Sequence, residues 1–346
     1  INGGYKTMKA VYIKEPGKLE VIDVEKPSIK KDTQVLVKIT AAGICGSDIH
    51  IFHGTHAYAT YPRIIGHEGC GIVEEVGSAV TDLKPGDSVI IEPITGCGTC
   101  YACRHGRYNC CPDIKVAGVH IDGVMEEYFV TERNKLYKYD PNELTPVEAA
   151  TAEPYTVGAQ ANAQANTQPG DLVLIHGAGP IGMIICDIAE KRGATVIVSE
   201  VNEDRLKIAK DFGAKYTINP KKEDLKEAIM KITDGKGVNV VFETSGVPAL
   251  TSLSVELLSP HGRLVPLTFA PEPVPINFRL MNKNELVIAG TRNQNGKFPE
   301  VVESLPSRKD RIDKLVTHVF PAEEAKKAFD TAMDKTSGSC KVVITF

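Results

Sequence analysis

No stretch of the chain approaches the roughly 18 to 20 consecutive apolar residues that a membrane-spanning helix needs, so no membrane partner is expected. Positive charge is in slight deficit: 40 Lys and Arg face 44 Asp and Glu, for a formal net charge of −4 and a pI near 6.2. With no basic stretch standing out, no nucleic-acid partner is expected either. The residues before Met8, INGGYKT, have no apolar h-region and do not read as a signal peptide, so they are set outside fold reasoning. Repeats and low-complexity segments are missing as well. What remains is the composition of a soluble globular protein, 42% hydrophobic and 24% charged. At 346 residues it is long for one domain, and two are expected.

Cysteine, by contrast, is plentiful and unevenly placed. Nine cysteines without an export signal point to a reducing cytoplasm, where thiols stay free or bind metal. Five of them fall in GCGTCYACRHGRYNCC, residues 96–111. Cys97, Cys100, Cys103 and Cys111 have the spacing C-x2-C-x2-C-x7-C, with Cys110 left over. Disulfides in so tight a run would have poor geometry. Four thiolates can instead close a tetrahedron around Zn²⁺, and such a site leaves no position open for substrate. The loop therefore reads as a structural staple, with chemistry elsewhere.

The first 150 residues contain short β-type runs broken by Gly and Pro: QVLVKITAAGI (34–44), GCGIVEEVGSAV (69–80) and GDSVIIEPI (86–94). They predict a compact, mostly β domain of barrel type. From about residue 155 to Gly290 helical and strand patterns alternate, which predicts right-handed βαβ crossovers and a parallel sheet covered on both faces. The tail, 291–346, shows one helical stretch, AEEAKKAFDTAMD, and a last strand, CKVVITF, and is expected to return to the N-terminal domain.

The motif HGAGPIG places Gly177, Gly179 and Gly182 in G-x-G-x-x-G spacing, after the apolar strand LVLI and at the start of a helix. The first glycine permits the tight turn, the second lets backbone amides approach a pyrophosphate, and the third lets helix pack on strand. Pro180 and Ile181 lie inside the motif. The next strand, TVIVSE, ends in Glu200, 18 residues after Gly182. A carboxylate there accepts hydrogen bonds from the adenosine ribose and repels a 2′-phosphate, which favours NAD over NADP. Arg205, shortly beyond, is a further cofactor-contact candidate.

Hydride transfer from an alcohol usually needs a Lewis acid. GICGSDIH (43–50), GHEG (66–69) and AEP (152–154) supply candidate ligands: the Cys45 thiolate, the His67 imidazole, and the carboxylates of Glu68 and Glu153. Taken singly these residues are unremarkable; a lone cysteine is more often core.

CGSDIH, GHE, the four-cysteine loop, EP and GAGPIG, in this order, resemble the zinc-containing medium-chain dehydrogenase/reductase family over nearly the whole chain after Met8. The chain looks closest to the sorbitol dehydrogenase-like branch. Within it, NCCPDIKVAGVHIDG and GTRNQNGKF are similar to bacterial L-galactonate and L-gulonate 5-dehydrogenases. The resemblance implies an α/β protein: a GroES-like β-barrel catalytic domain (8–155 and 291–346) carrying both zinc sites, plus a Rossmann doubly wound parallel sheet (156–290). It also implies an active site in the cleft between the domains, and homodimers or homotetramers.

Carried over by position, Cys45, His67 and Glu153 or Glu68 bind a catalytic Zn²⁺, beside the structural one. Ser47 matches the hydroxyl that bonds the substrate oxygen, His50 the residue passing the proton to solvent, and Asp48 the carboxylate orienting the ligand histidine. Arg292 falls where the branch has an arginine facing cofactor and site. Asn293 replaces the aromatic residue usual after that arginine, which puts plain sorbitol in doubt, and both are candidate substrate contacts. The implied activity is NAD-dependent oxidation of a secondary alcohol, with a hexonate oxidised at C5 as the expected substrate. The supporting feature is polarity in HIFHGTHAY (50–58) and TRNQNGK (291–297), with Arg292 or Lys297 available for a carboxylate. The alternatives are a sorbitol-type polyol dehydrogenase and an L-threonine or short-chain alcohol dehydrogenase. A zinc-free quinone reductase would lack the Cys/His/Glu set, and a redox-sensing regulator would lose Ser47 and His50.

Overall fold

The computed structural model describes residues 7–269 and 272–346, and the chain divides into two compact units. One comprises residues up to Glu153 together with Phe298–Phe346; the other comprises Pro154–Lys297.

In the first unit the strand Gln34–Gly43 is the centrepiece. It pairs antiparallel with Glu68–Val76, Tyr128–Glu132 and the C-terminal strand Lys341–Thr345. Ser88–Ile91 and Leu136–Lys138 extend this sheet at one edge, and Val316–Pro321 closes the other. A smaller sheet joins Thr7–Glu15 to Lys18–Glu25 and Arg63–Ile64. Val35, Val37, Ile39 and Ala42 on the central strand pack with Val11, Ile13, Val89, Ile91 and Ile344 into one core. Each of these Val and Ile side chains contributes about 1.5–3 kcal/mol by leaving water.

Register then brings distant residues together. Gly43 stands opposite both Glu68 and Val343. Lys341, two residues earlier on its antiparallel strand, therefore comes level with Cys45 just past the end of the central strand. Gly43 must be a glycine, because a Cβ there would run into the Glu68 carboxylate.

The tail holds more helix than its sequence pattern announces. Besides Ala325–Met333 it forms Phe298–Ser304 and Lys309–Leu315, each of seven residues. Pro299 and Pro306 disguise them: both read as breakers, but Pro299 sits in a first turn, where no backbone N–H is needed.

The second unit is a six-stranded sheet whose strands are all parallel. Its order is Ala214–Ile218, Thr195–Ser199, Leu172–His176, Val238–Glu243, Leu258–Pro266, Val287–Ile288. Winding starts at Leu172–His176, runs to one edge, then restarts on its other side at Val238–Glu243. Between those two strands lies the switch point, where doubly wound sheets bind ligands at the carboxyl ends of their strands. Among the described residues no helix is long and apolar enough to cross a membrane.

Candidate functional site

The four-cysteine loop is built by local geometry. Cys97, Cys100, Cys103 and Cys111 bring their sulfurs within 4.8 Å of one another, and exposed Cys110 is not among them. Backbone amides donate to three of these sulfurs: Cys100 to Cys97 (3.3 Å), Cys103 to Cys100 (3.4 Å) and Cys97 to Cys111 (3.3 Å). The Thr99 hydroxyl and neighbouring amides hold the Cys97 thiol down to about 6, whereas desolvation and adjacent thiols push Cys103 up to about 12. Four thiols this close cannot all ionise without a compensating cation, so the donor set fits a tetrahedral Zn²⁺.

A second donor set lies at the end of the central strand. Cys45 caps the helix Gly46–Phe52, and the Asp48 carboxylate accepts from its backbone amide at 2.8 Å. Donor atoms of Cys45, His67 and Glu68 lie within 4.8 Å of one another. Glu153, at the start of the helix Ala152–Gln164, interacts with His67 and Glu68 through charge but does not join that set at this distance.

His67 is held from two sides. Its Nδ1 faces Asp48 Oδ1 at 3.7 Å, and its Nε2 is 3.3 Å from the Ser47 hydroxyl. The Asp48 oxygen and the Nδ1 atom are both buried without a hydrogen-bond partner, so a small inward shift of the ring would join them. Nε2 is left as the ligating nitrogen. His50, on the same helix, places Nδ1 2.9 Å from the Thr55 hydroxyl.

Burial raises Asp48 and pushes Glu153 up to about 7. Burial pulls His67 down, but Asp48, Cys45 and Glu153 hold it well above its usual value. The buried carboxylates of Asp48, Glu68 and Glu153, with the Cys45 thiol, thus crowd around one imidazole and one ammonium. Such a concentration of acidic donors is what a divalent cation relieves, so the residues fit a catalytic Zn²⁺.

The ammonium belongs to Lys341, which sequence reasoning missed. Its Nζ lies 2.7 Å from both Glu68 oxygens and 3.1 Å from the Ile44 carbonyl, fully buried. The available signal was a lysine opening an otherwise apolar strand, CKVVITF.

In the second unit Gly177 has φ +95°, and a Cβ on Gly182 would collide with the Gly177 carbonyl oxygen. Gly179 has nothing within 4 Å of its Cβ position, which leaves open space against the backbone before the helix Pro180–Lys191. Glu200 accepts from Ala178 (2.9 Å), Val201 (2.7 Å) and Asn202 (3.0 Å) backbone amides, fixing its carboxylate beside the glycine turn. The turn fits a dinucleotide pyrophosphate. Arg205 lies half-buried on the helix Glu203–Asp211, and Arg292 and Asn293 follow the last strand. Asn293 has φ +47°, a left-handed conformation that asparagine tolerates and an aromatic residue resists.

Comparison with known proteins agrees with this geometry. The model for the alcohol dehydrogenase GroES-like domain matches residues 31–141, and that for zinc-binding dehydrogenases matches 180–307. Sorbitol dehydrogenase of Bacillus subtilis is 34% identical, with 98% of this chain and 97% of that protein covered. L-threonine 3-dehydrogenases of Pyrococcus and Thermococcus species are 35–38% identical over 89–93% of this chain and 90–94% of theirs. The Escherichia coli rspB alcohol dehydrogenase, solved with NADH, superposes with a TM-score of 0.91 at 33% identity, covering 98% and 99% of the chains. The L-idonate 5-dehydrogenase of Escherichia coli superposes at 0.87 with 26% identity and 99% of each chain covered. The chain belongs to the zinc-containing medium-chain dehydrogenase/reductase family and is an alcohol/polyol-type dehydrogenase.

Proposed function

We propose that the substrate is a sugar acid, a hexonate such as L-galactonate or L-gulonate, oxidised at C5 to the keto acid with reduction of NAD⁺. The observation that carries this reading is the polarity around His67. Tyr58 meets His56 edge-on (ring centroids 6.2 Å) and stacks on His120 (6.3 Å), and burial, with the neighbouring imidazoles of His50, His67 and His120, holds the His56 pKa below its ordinary value. A short-chain alcohol site would present apolar side chains there. The similarity to an enzyme named for L-idonate supports the same class.

In this reading Cys45 and His67, with Glu153 or Glu68, hold the catalytic Zn²⁺, and Cys97, Cys100, Cys103 and Cys111 hold a second, structural ion. Gly177, Gly179, Pro180, Ile181, Gly182, Glu200, Arg205 and Arg292 receive NAD. Bound zinc supplies a Lewis acid that lowers the pKa of the substrate hydroxyl, and NAD accepts the hydride. Ser47, on the ligand side of His67, accepts the hydroxyl proton and hands it on. Exposed His50 releases it to solvent, steadied by Thr55. Asp48 holds the His67 ring by its Nδ1 edge, so that Nε2 stays free to ligate. A homodimer or homotetramer in the cytoplasm completes the proposal, supported by family resemblance.

The test is NADH formation with L-gulonate against sorbitol and L-galactonate against galactitol, with L-threonine and a short-chain alcohol alongside. The acids should win by more than about tenfold in kcat/KM. A win for the hexitol, threonine or the simple alcohol defeats the substrate assignment.

A further inference from the structure

Lys341 has no part in the proton path just described, yet it is bonded to a candidate zinc ligand. An ammonium has three N–H donors and accepts nothing. Three acceptors surround this one: Glu68 Oε1 and Oε2, each at 2.7 Å, and the Ile44 carbonyl at 3.1 Å. Its donors are therefore used up. The backbone is stitched at the same point, because the Ile44 amide donates to the Val342 carbonyl at 2.9 Å. Lys341 is buried, so it cannot trade these partners for water.

The Glu68 carboxylate is seated against Gly43 as well. A Cβ on that glycine would stand 2.1 Å from Glu68 Oε2, so the oxygen occupies the space a side chain would take. Register builds the seat, since Gly43 stands across from Glu68 on one strand and from Val343 on the other. Donor atoms of Glu68, Cys45 and His67 lie within 4.8 Å of one another, and proximity alone would make Glu68 a ligand. Its bonding opposes that. A carboxylate that ligates gives lone pairs to the ion, and here both oxygens already accept from one ammonium. Zn²⁺ on the same group would also face that ammonium as a second cation, in surroundings that screen charge poorly. Glu153 is the other buried carboxylate coupled to His67 through charge.

We propose that Lys341 is a positioning residue that withholds Glu68 from the catalytic zinc, so that Glu153 is the carboxylate on the resting ion. This rests on the reading of Cys45 and His67 as zinc ligands and deepens it.

The experiment measures zinc content, and the rate at which a chromophoric chelator strips the zinc-loaded protein. The phase missing from Cys45→Ser belongs to the catalytic ion. Glu68→Gln should keep both ions and release the catalytic one at the wild-type rate, whereas Glu153→Gln should release it at least about tenfold faster. Lys341→Met frees the Glu68 carboxylate to leave its seat for the ion. Release should then slow about tenfold, and the visible bands of the cobalt-substituted protein should shift. Adding Glu68→Gln to Lys341→Met should return both readouts to wild type. If Lys341→Met does not fold, the Glu68→Gln and Glu153→Gln proteins decide the matter by themselves. A Glu68→Gln protein that loses the catalytic ion makes Glu68 the resting ligand and overturns the proposal while the zinc site stands. A folded Lys341→Met with unchanged release and unchanged bands overturns it too. A wild type with no ion that depends on Cys45 overturns the site itself.

Discussion

Lys341 Nζ sits 2.7 Å from each oxygen of Glu68, a buried ion pair whose members are 273 residues apart in sequence. Burial opposes the charge on Lys341, but Glu68 and Cys45 hold its pKa raised all the same. Removing one partner of such a pair leaves an uncompensated buried charge, at a cost of roughly 3–5 kcal/mol. Lys341→Met should therefore lower the urea midpoint strongly, and Lys341→Met with Glu68→Gln should recover much of the loss. A Lys341→Met protein as stable as the wild type would show that Glu68 does not depend on that ammonium.

Glu126 gives a pH prediction. Burial, helped by the charge of Asp122, pushes its carboxyl up to about 8, against 4.5 for an ordinary glutamate. Between those two values the folded state binds the extra proton, so stability falls as pH rises from 4.5 to 8. Glu126→Gln keeps the shape without the ionisation. Its Tm should match the wild type in acid and exceed it progressively between pH 4.5 and 8, with a constant gap beyond. Parallel Tm profiles for the two proteins would mean Glu126 ionises normally.

Glu200, fixed by three backbone amides beside the glycine turn, should make NAD⁺ better than NADP⁺ by at least about tenfold in kcat/KM, the factor ~1.4 kcal/mol supplies. Glu200→Ala should narrow that gap, mainly through KM. Equal use of both cofactors by the wild type would remove the ribose contact from the account.

His50→Ala should slow oxidation most at acidic and neutral pH, where hydroxide cannot replace the missing base, and recover in part at high pH. Thr55→Val, which removes the hydroxyl at His50 Nδ1, should give a weaker loss with the same pH dependence. A uniform loss across pH in His50→Ala would make His50 a packing or binding residue.

What could be read from the sequence was what is local. The sulfurs of the 97–111 loop and the turn Gly177–Gly182 close within a few residues, so spacing carries their chemistry. Cys45, His67 and Glu68 could be suspected from glycine-flanked motifs, because the loops that hold them are themselves short. Lys341 left only a lysine at the head of an apolar strand as a signal, since only the antiparallel register of Lys341–Thr345 on Gln34–Gly43 brings it level with Cys45. The helices Phe298–Ser304 and Lys309–Leu315 are too short to show a period, and prolines punctuate them.

Zinc content per chain tests the central claim most directly, measured together with activity in the wild type and in Cys45→Ser. The account predicts about two zinc ions in the wild type, and about one in a folded Cys45→Ser with almost no activity. A Cys45→Ser protein that keeps both ions, or a wild type fully active with one, would contradict it.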